Sequence, residues 1–469
     1  MNLEILINRI NVGKFLDLDW TKKPYIFILT LLFIVSRVPL LNLGFGSDPD
    51  AWRVADSAFD LHYFGIYHPS RFPGYPLYEF FNSFIINYGW LATNIATMVI
   101  SLISVFIFAK ILKELDIKNK GLLVITYAFL PILWITSAST MDYMWALTFI
   151  LFAWFFIIKK QCFLAGFMMG LAIGSRVTSV ALILPFIYLI LTETKNVKNA
   201  IYYVVIAIVT SIILYLPLFF QYNLNFLTYY LNDMTIIHVL LNINYSFGIL
   251  AVSFGLMLLM LSFKSLLDNI LKKDSFTLFL LFFIGIVLIL FIKAPYEVAY
   301  LIPAVPFLLI LLNNISKKQF FAVFCILLIS NAFISFASLN DPNIVEGGLI
   351  MHDIEFRDTL LQMQVVTNSN ITDSVIITGE YLYALSYFYE KSSKNPKLMG
   401  MIGGGNFETK EKWNFEKNVD YIYFAPLAKI KELQNKGYKI YYIGNSTLRI
   451  TNSSYSYDLS QYNATNLLI

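Results

Sequence analysis

Apolar runs long enough to cross a bilayer recur along this chain from residue 25 to residue 339, and that recurrence restricts its fold more than any other feature. A spanning helix needs about 20 mostly apolar residues, within a range of roughly 17–25. Runs of this kind occupy residues 25–41, 91–112, 122–136, 143–158, 201–221, 247–263, 276–292, 298–312 and 320–339. A further stretch, 163–191, is too long for one crossing and is interrupted by Gly166, Gly170, Gly174 and then Ser175-Arg176. It reads as two short helices meeting near Arg176, which makes about eleven spans in all. Hydrophobic residues are 58% of the 469-residue chain and charged residues only 14%, against about 25% charged in a soluble protein. A single soluble core cannot absorb that much apolar surface, whereas a bilayer can. The expected fold class is therefore mostly α, a polytopic membrane helix bundle.

The lysines orient the bundle. They cluster at Lys22/Lys23, 110–120, Lys159/Lys160, Lys195/Lys198, 264–273 and Lys317/Lys318. With the break at Arg176, all of these fall on one side of the membrane; without it the alternation fails at Lys195. The excess of lysine in cytoplasmic loops makes that side the cytoplasm, and the Lys/Asn/Ile-rich usage fits a plasma membrane. The mixed-charge start, residues 1–23, has no cleavage-type small-residue site and reads as a cytoplasmic lead-in. The opposite side then carries the loop 42–88, the turn 137–142, Arg176, the loop 222–245, the turn 293–297 and everything after residue 340. Residues 24–340 form the expected membrane domain. Residues 341–469 alternate short β-type runs (375–378, 421–424, 440–443, 447–450) with polar helical runs (379–389, 427–436), which predicts a small extracytoplasmic α/β domain. Four Asn-X-Ser/Thr sequons, at Asn370, Asn445, Asn452 and Asn463, agree with an exterior location. The net charge of +4 is small and gives no reason to expect a nucleic-acid partner. The two cysteines, Cys162 and Cys325, lie in apolar runs and read as buried thiols, with no disulfide framework or zinc motif.

The chemistry gathers on the exterior side. The segment Gly46-Ser-Asp-Pro-Asp-Ala-Trp-Arg53 places Asp48, Asp50 and Arg53 directly after the first span. Charge at a membrane boundary is costly and is better read as function than as packing. A Pro/Gly/Tyr-rich stretch follows, 67–78, with His68 and Arg71, a composition suited to a fixed irregular backbone. Asp142 stands in a very short turn between two spans, and Arg176, Tyr296 and Tyr300 lie at other exterior span ends. Each also fits an ordinary role: Asp142 as a helix N-cap, Arg176 snorkelling to the interface, Asp48 and Asp50 as solvated loop acids, the tyrosines as an aromatic belt.

Together they suit sugar transfer from a lipid phosphate. The phosphate leaving group is already a stable anion, so no acid must protonate it. One carboxylate suffices, as general base on the acceptor hydroxyl. Arg176 offers a fixed fork for the developing phosphate charge; a divalent ion, Mg or Mn, held by Asp48, Asp142 or His68 is an alternative source of charge. One base attacking opposite the leaving group implies inversion at the anomeric carbon.

The acidic motif after the first span, the loop with Arg71-Phe-Pro-Gly-Tyr-Pro-Leu-Tyr78, the Met141-Asp142-Tyr143 turn, the Gly-spaced run 166–176, and Tyr296-Glu-Val-Ala-Tyr-Leu-Ile-Pro-Ala-Val-Pro306 resemble the C-type (GT-C fold) membrane glycosyltransferases. The nearest groups are the dolichyl-phosphate-mannose-dependent mannosyltransferases, including protein O-mannosyltransferase-like proteins, and the aminoarabinose transferases. The resemblance covers roughly residues 24–340. It implies that Asp48 is the catalytic base, Asp142 the second acid, Arg176 the residue facing the donor phosphate and Tyr300 a residue of the same pocket. Asp50, Arg53, Arg71 and Glu297 join them as candidate substrate-binding residues. It also implies a polyprenyl-phosphate-linked donor, mannose as the favoured sugar, and a glycan, protein or lipid acceptor. The chain lacks the Trp-Trp-Asp run of oligosaccharyltransferases, which argues against en bloc transfer to asparagine. A transporter or flippase for a lipid-linked saccharide is the alternative; it would need polar groups near the bilayer midplane, where this sequence is almost uncharged.

Overall fold

The computed structural model describes residues 16–227, 236–293, 298–336, 344–345, 348–393, 411–414, 417–422, 427–443, 447–449, 456–458 and 464–467. Its helices are α1 (Lys23–Leu41), α2 (Pro49–Phe64), α3 (Pro76–Ile85), α4 (Trp90–Glu114), α5 (Lys120–Phe129), α6 (Pro131–Thr136), α7 (Tyr143–Ile158), α8 (Cys162–Ser175), α9 (Ile183–Thr194), α10 (Val197–Tyr222), α11 (Ile236–Phe247), α12 (Ile249–Leu271), α13 (Ser275–Lys293), α14 (Val305–Ile315), α15 (Lys318–Ser330), α16 (Gly348–Asn368), α17 (Leu382–Ser393) and α18 (Leu427–Asn435). Tight 3-10 turns, Val177–Leu182 and Val298–Ala304, lead into α9 and α14. Among the described residues seven helical segments are long and apolar enough to cross a membrane, and four shorter apolar helices accompany them. The protein is a multi-pass membrane helix bundle.

Local chemistry explains where helices break. Pro131 has no N–H to donate, so the apolar run 122–136 splits into α5 and α6 at an extended Leu130. The carbonyl of Ala128, left without a helical donor, accepts from the fully buried Arg37 of α1. The Arg37 guanidinium also lies 3.8 Å over the Phe33 ring and 4.9 Å from that of Trp134. α8 ends at Ser175, and Arg176 is extended (φ −158°, ψ 110°) before the Val177–Leu182 turn. The apolar run 320–339 is helical only to Ser330; the chain then turns and pairs Ser335–Phe336 (β1) with Ile344–Val345 (β2).

The glycines of α8 have a packing role. A Cβ on Gly166 would fall 2.5 Å from the Tyr203 carbonyl oxygen, one on Gly170 2.4 Å from Thr210 Cβ, and one on Gly174 2.2 Å from Leu214 Cδ1. Spaced four apart, they form a smooth stripe that lets α8 lie directly against α10, as small residues do in membrane helix pairs. Gly170→Leu should separate the two helices and displace Arg176 at the end of α8. We expect a loss of about 1–3 kcal/mol, the usual cost of overpacking, read as a lower unfolding temperature in detergent; unchanged stability would show the contact to be incidental.

Two ends of the bundle are distinguished by their polar contacts. At one end, Lys113 pairs with Asp19 (3.2 Å), Lys159 with Glu114 (2.6 Å) and Lys318 with Asp17 (3.7 Å), which draws the lysine clusters together. The other end carries the arginines and aspartates of the next subsection. The loop 42–88 at that end is more ordered than its composition suggests, for it contains α2 and α3. Both begin with proline at the first position, and Gly65 closes α2 in the left-handed conformation (φ 66°).

The C-terminal region is α/β. Strands β3 (Ser374–Ile377), β4 (Glu411–Asn414), β5 (Val419–Ile422), β6 (Lys439–Tyr442) and β9 (Thr465–Asn466) form a sheet of order β4-β5-β3-β6-β9, parallel except for β4. Two further strands, β7 (Thr447–Arg449) and β8 (Ser456–Asp458), pair separately. One sheet face packs on Ile430 and Leu433 of α18; Val419, Ile376 and Tyr421 on the other join the core shared with the membrane helices. α16, a long helix that the alternating pattern of this region did not suggest, packs on α17 and α6, and α17 packs on α2. Of the four sequons, Asn370 is exposed and the other three lie outside the described residues.

Asp420 of β5 lies beside Val375, is 2% exposed, and its Oδ1 has no hydrogen-bond partner among the described residues. Burial pushes its carboxyl up to about 7 from 3.8. Because the folded value is the higher one, the sheet is most stable below the unfolded value and loses stability as pH rises towards 7. Three units at 1.36 kcal/mol each set the loss at about 4 kcal/mol. Asp420→Asn should therefore protect the sheet from proteolysis at about pH 8 and do little at about pH 5; equal effects at both would contradict this account.

Candidate active site

α2 begins where its sequence dictates. Asp48 is extended (φ −70°, ψ 127°), and its carboxylate accepts from the Asp50 N–H at 2.8 Å, a standard N-cap. Pro49 supplies the first helical position. Asp50 and Arg53, three apart on α2, pair at 3.1 Å. Asp50 also accepts from Arg71. Arg71 donates from its other terminal nitrogen to Asp142 Oδ1 at 3.1 Å, and Arg176 donates to Asp142 Oδ2 at 2.7 Å. The five side chains thus form one alternating ladder, Arg53–Asp50–Arg71–Asp142–Arg176, assembled from four separate segments. It runs inward: the Asp50 side chain is 23% exposed, that of Arg71 12%, Arg176 is 4% exposed and Asp142 is fully buried.

Tyrosines wall the ladder. The Arg176 guanidinium stacks on Tyr143 (4.1 Å) and Tyr300 (4.4 Å), and Arg71 on Tyr75 (4.6 Å). Arg53 faces Tyr383 of α17 at 5.0 Å, so the C-terminal region contributes a side chain to the rim. Burial pushes the Asp50 carboxyl up, but the Arg71 and Arg53 charges outweigh it and hold the group below the usual carboxylate range. The Nε–H groups of Arg53 and Arg71 are buried with no acceptor among the described residues.

The irregular stretch that presents Arg71 is held by two residues that sequence reading missed. Glu79, fully buried on α3, accepts from the Tyr67 hydroxyl (2.5 Å), the Ser70 N–H (2.7 Å) and the Tyr75 N–H (3.1 Å). Burial pushes its carboxyl up against these hydrogen bonds. Tyr215 of α10 donates to the carbonyls of Gly74 (3.1 Å) and Ile173 (3.3 Å), joining the stretch to the end of α8. The Phe72–Pro73 peptide is cis. A carboxylate within the apolar run Tyr78-Glu-Phe-Phe81 was the available signal for Glu79; nothing local marked Tyr215.

The structure brings together Asp50, Arg53, Arg71, Asp142, Arg176 and Tyr300, with Asp48 two residues from Asp50. Neither ordinary role holds for Asp142 or Arg176. The Asp142 side chain makes no cap hydrogen bond, and Arg176 is buried rather than reaching to the interface. Glu297 and Tyr296 lie outside the described residues. His68 is exposed and meets the Tyr222 hydroxyl at 3.2 Å. Asp142 has both oxygens engaged by arginines. Among the described residues no group of three or more His, Cys, Asp or Glu is placed to hold a metal. The two cysteines are buried free thiols.

No protein-family model matches the chain, and no curated protein matches it. Among solved structures, it is similar to ArnT from Cupriavidus metallidurans in the apo state, with 13% identity, a TM-score of 0.44, and coverage of 74% of this chain and 63% of that one. It is also similar to ArnT from Cupriavidus metallidurans bound to undecaprenyl phosphate, with 13% identity, a TM-score of 0.43, and coverage of 78% and 69%. The matched region thus spans less than two thirds of the apo ArnT chain.

Proposed function

We propose that this protein is an inverting glycosyltransferase that moves a sugar, with mannose favoured, from a polyprenyl- or dolichyl-phosphate carrier to a hydroxyl of a glycan, protein or lipid acceptor. The observation that carries this reading is the arginine–aspartate ladder, built from four segments at one end of a membrane helix bundle. A lipid-linked donor keeps its tail in the bilayer while its sugar–phosphate bond sits at the boundary, and a site at the helix ends meets that requirement. As the bond from the anomeric carbon to the phosphate oxygen breaks, charge grows on the phosphate. The unmatched Nε–H groups of Arg53 and Arg71 suit its oxygens, and a guanidinium fork binds phosphate at two points. Asp48, which caps α2 two residues before Asp50, takes the proton of the acceptor hydroxyl as its oxygen attacks the anomeric carbon from the opposite face. Asp142 and Arg176, the most buried members of the ladder, hold Arg71 in place, with Asp142 as the second acid of the site and Arg176 facing the donor phosphate. The ladder's guanidinium groups supply the positive charge a divalent Mg or Mn ion would otherwise bring, so chelation is expected to leave the transfer rate unchanged; a chelator that stops transfer, with recovery on adding metal, would reverse this point.

The lysine clusters support a cytoplasmic assignment for their side, and we place the protein in a plasma membrane. The ladder and residues 341–469 then face away from the cytoplasm, as does the Tyr383 contact on its rim. The test is reconstitution in vesicles with radiolabelled polyprenyl-phosphate mannose and membranes from a strain lacking the gene. Label should pass to an acceptor, and mass spectrometry of that strain's glycans should show the missing residue. Passage of intact donor across the vesicle with no transfer would overturn the reading in favour of a carrier.

A further inference from the structure

A second charged pair, outside the ladder, joins the segments that carry its acids. Asp353 and Arg357, one turn apart on α16, pair at 2.7 Å through Arg357 Nε. Arg357 is fully buried. Its Nη1 donates to the carbonyls of Ala138 (2.9 Å) and Leu40 (3.4 Å), and its Nη2 to Ser139 Oγ (2.5 Å) and the Ile135 carbonyl (3.5 Å). Five donors thus meet five acceptors, two of them in the turn that leads to Asp142. The other oxygen of Asp353, which is 5% exposed, accepts from the hydroxyl of Ser47, the residue before Asp48. The two segments also touch directly: the Thr140 N–H donates to the Phe45 carbonyl at 2.6 Å, and a Cβ on Gly46 would lie 3.1 Å from Ser139 Cβ. A charge pair this deep is costly unless every donor and acceptor is met. Here the donors and acceptors left over from the pair's own contact are met by the backbone or hydroxyls of the first-span exit, the end of α6 and the Asp142 turn.

We propose that Asp353 and Arg357 are positioning residues of the transfer site, with Ser47 and Ser139 as their contacts. From the C-terminal region they set the spacing between the segment bearing Asp48 and the turn bearing Asp142. This rests on the glycosyltransferase reading above. A displacement of about 1 Å in a reacting group can cost up to a hundredfold in rate, so a clasp on both segments acts on turnover and leaves donor binding alone.

The test uses the full-length protein in vesicles with radiolabelled polyprenyl-phosphate mannose and the membranes described above. Ser47→Ala removes one hydroxyl from the partly exposed loop and leaves the fold intact. It should lower kcat about tenfold with donor KM unchanged, and Ser47→Thr, which keeps the hydroxyl, should restore it. On an Asp353→Asn background Ser47→Ala should add little, since the two share one contact. Arg357→Gln should lower kcat about a hundredfold per folded molecule, as counted by gel filtration. A purely structural pair would reduce the folded fraction and leave kcat per folded molecule intact; that result, or wild-type kcat in Ser47→Ala, overturns the clasp while the enzyme reading stands. Absence of transfer by the wild-type protein overturns both.

Discussion

Asp142→Ala is expected to destabilise this protein by about 3–5 kcal/mol, the cost of removing one partner from a buried ion pair and leaving the other uncompensated. The reason is geometric. Both oxygens of Asp142 are used, by Arg71 at 3.1 Å and Arg176 at 2.7 Å, and the residue is fully buried. Without it, Arg176 keeps its stacking on Tyr143 and Tyr300 but loses its counter-charge. The measurement is thermal unfolding in detergent, compared with that of a double variant, Asp142→Leu with Arg176→Met. Replacing a buried pair by apolar residues of similar size is often neutral, so the double variant should recover much of the lost stability. It should not recover transfer, because Arg71 would no longer be held against the ladder. Equal stability in Asp142→Ala and wild type would mean that the ladder is not formed as described.

Asp48→Asn tests the chemical step with little structural disturbance. Asparagine caps a helix about as well as aspartate, so α2 should begin at Pro49 as before and unfolding temperature should barely change. What the amide cannot do is accept the proton of the acceptor hydroxyl. Removal of a general base costs roughly 10²–10⁴ in rate, and a loss of that size is expected in the vesicle assay. The control is Asp48→Ala, which loses both the base and a cap worth about 1 kcal/mol. Transfer at the wild-type rate by Asp48→Asn would remove the base role from this residue and direct attention to Asp50. That residue is already committed to two arginines, at Arg53 and Arg71.

The helix bundle was legible because its signal is local. A run of about 20 apolar residues has few stable solutions in water or lipid, and lysine placement resolved the one ambiguous stretch by requiring a break near Arg176. The α/β character of the end was legible for a similar reason, since β-type runs such as 375–378 and helical runs such as 427–436 differ in composition and period. The helices of the first loop were harder. Asp48-Pro49 and Gly65 bracket α2 with start and stop signals, but the Pro, Gly and Tyr residues that follow suggested irregular chain throughout. α16 was not anticipated because it carries no sustained apolar period.

The amino-acid sequence by itself determined that this chain is a multi-pass helix bundle, that the stretch 163–191 breaks near Arg176 and which ends bear lysine. Those outcomes depend on transfer of contiguous segments between water and lipid, which length and composition settle. Only the tertiary structure decided which charges share which partners. Arg71 lies between Asp50 and Asp142, Glu79 gathers the backbone that presents it, and Arg357 grips a turn more than 200 positions away in the chain. Such choices turn on the high cost of a buried charge or donor left unmatched, and the partner that removes that cost is picked by folding, from residues with no neighbouring trace of one another.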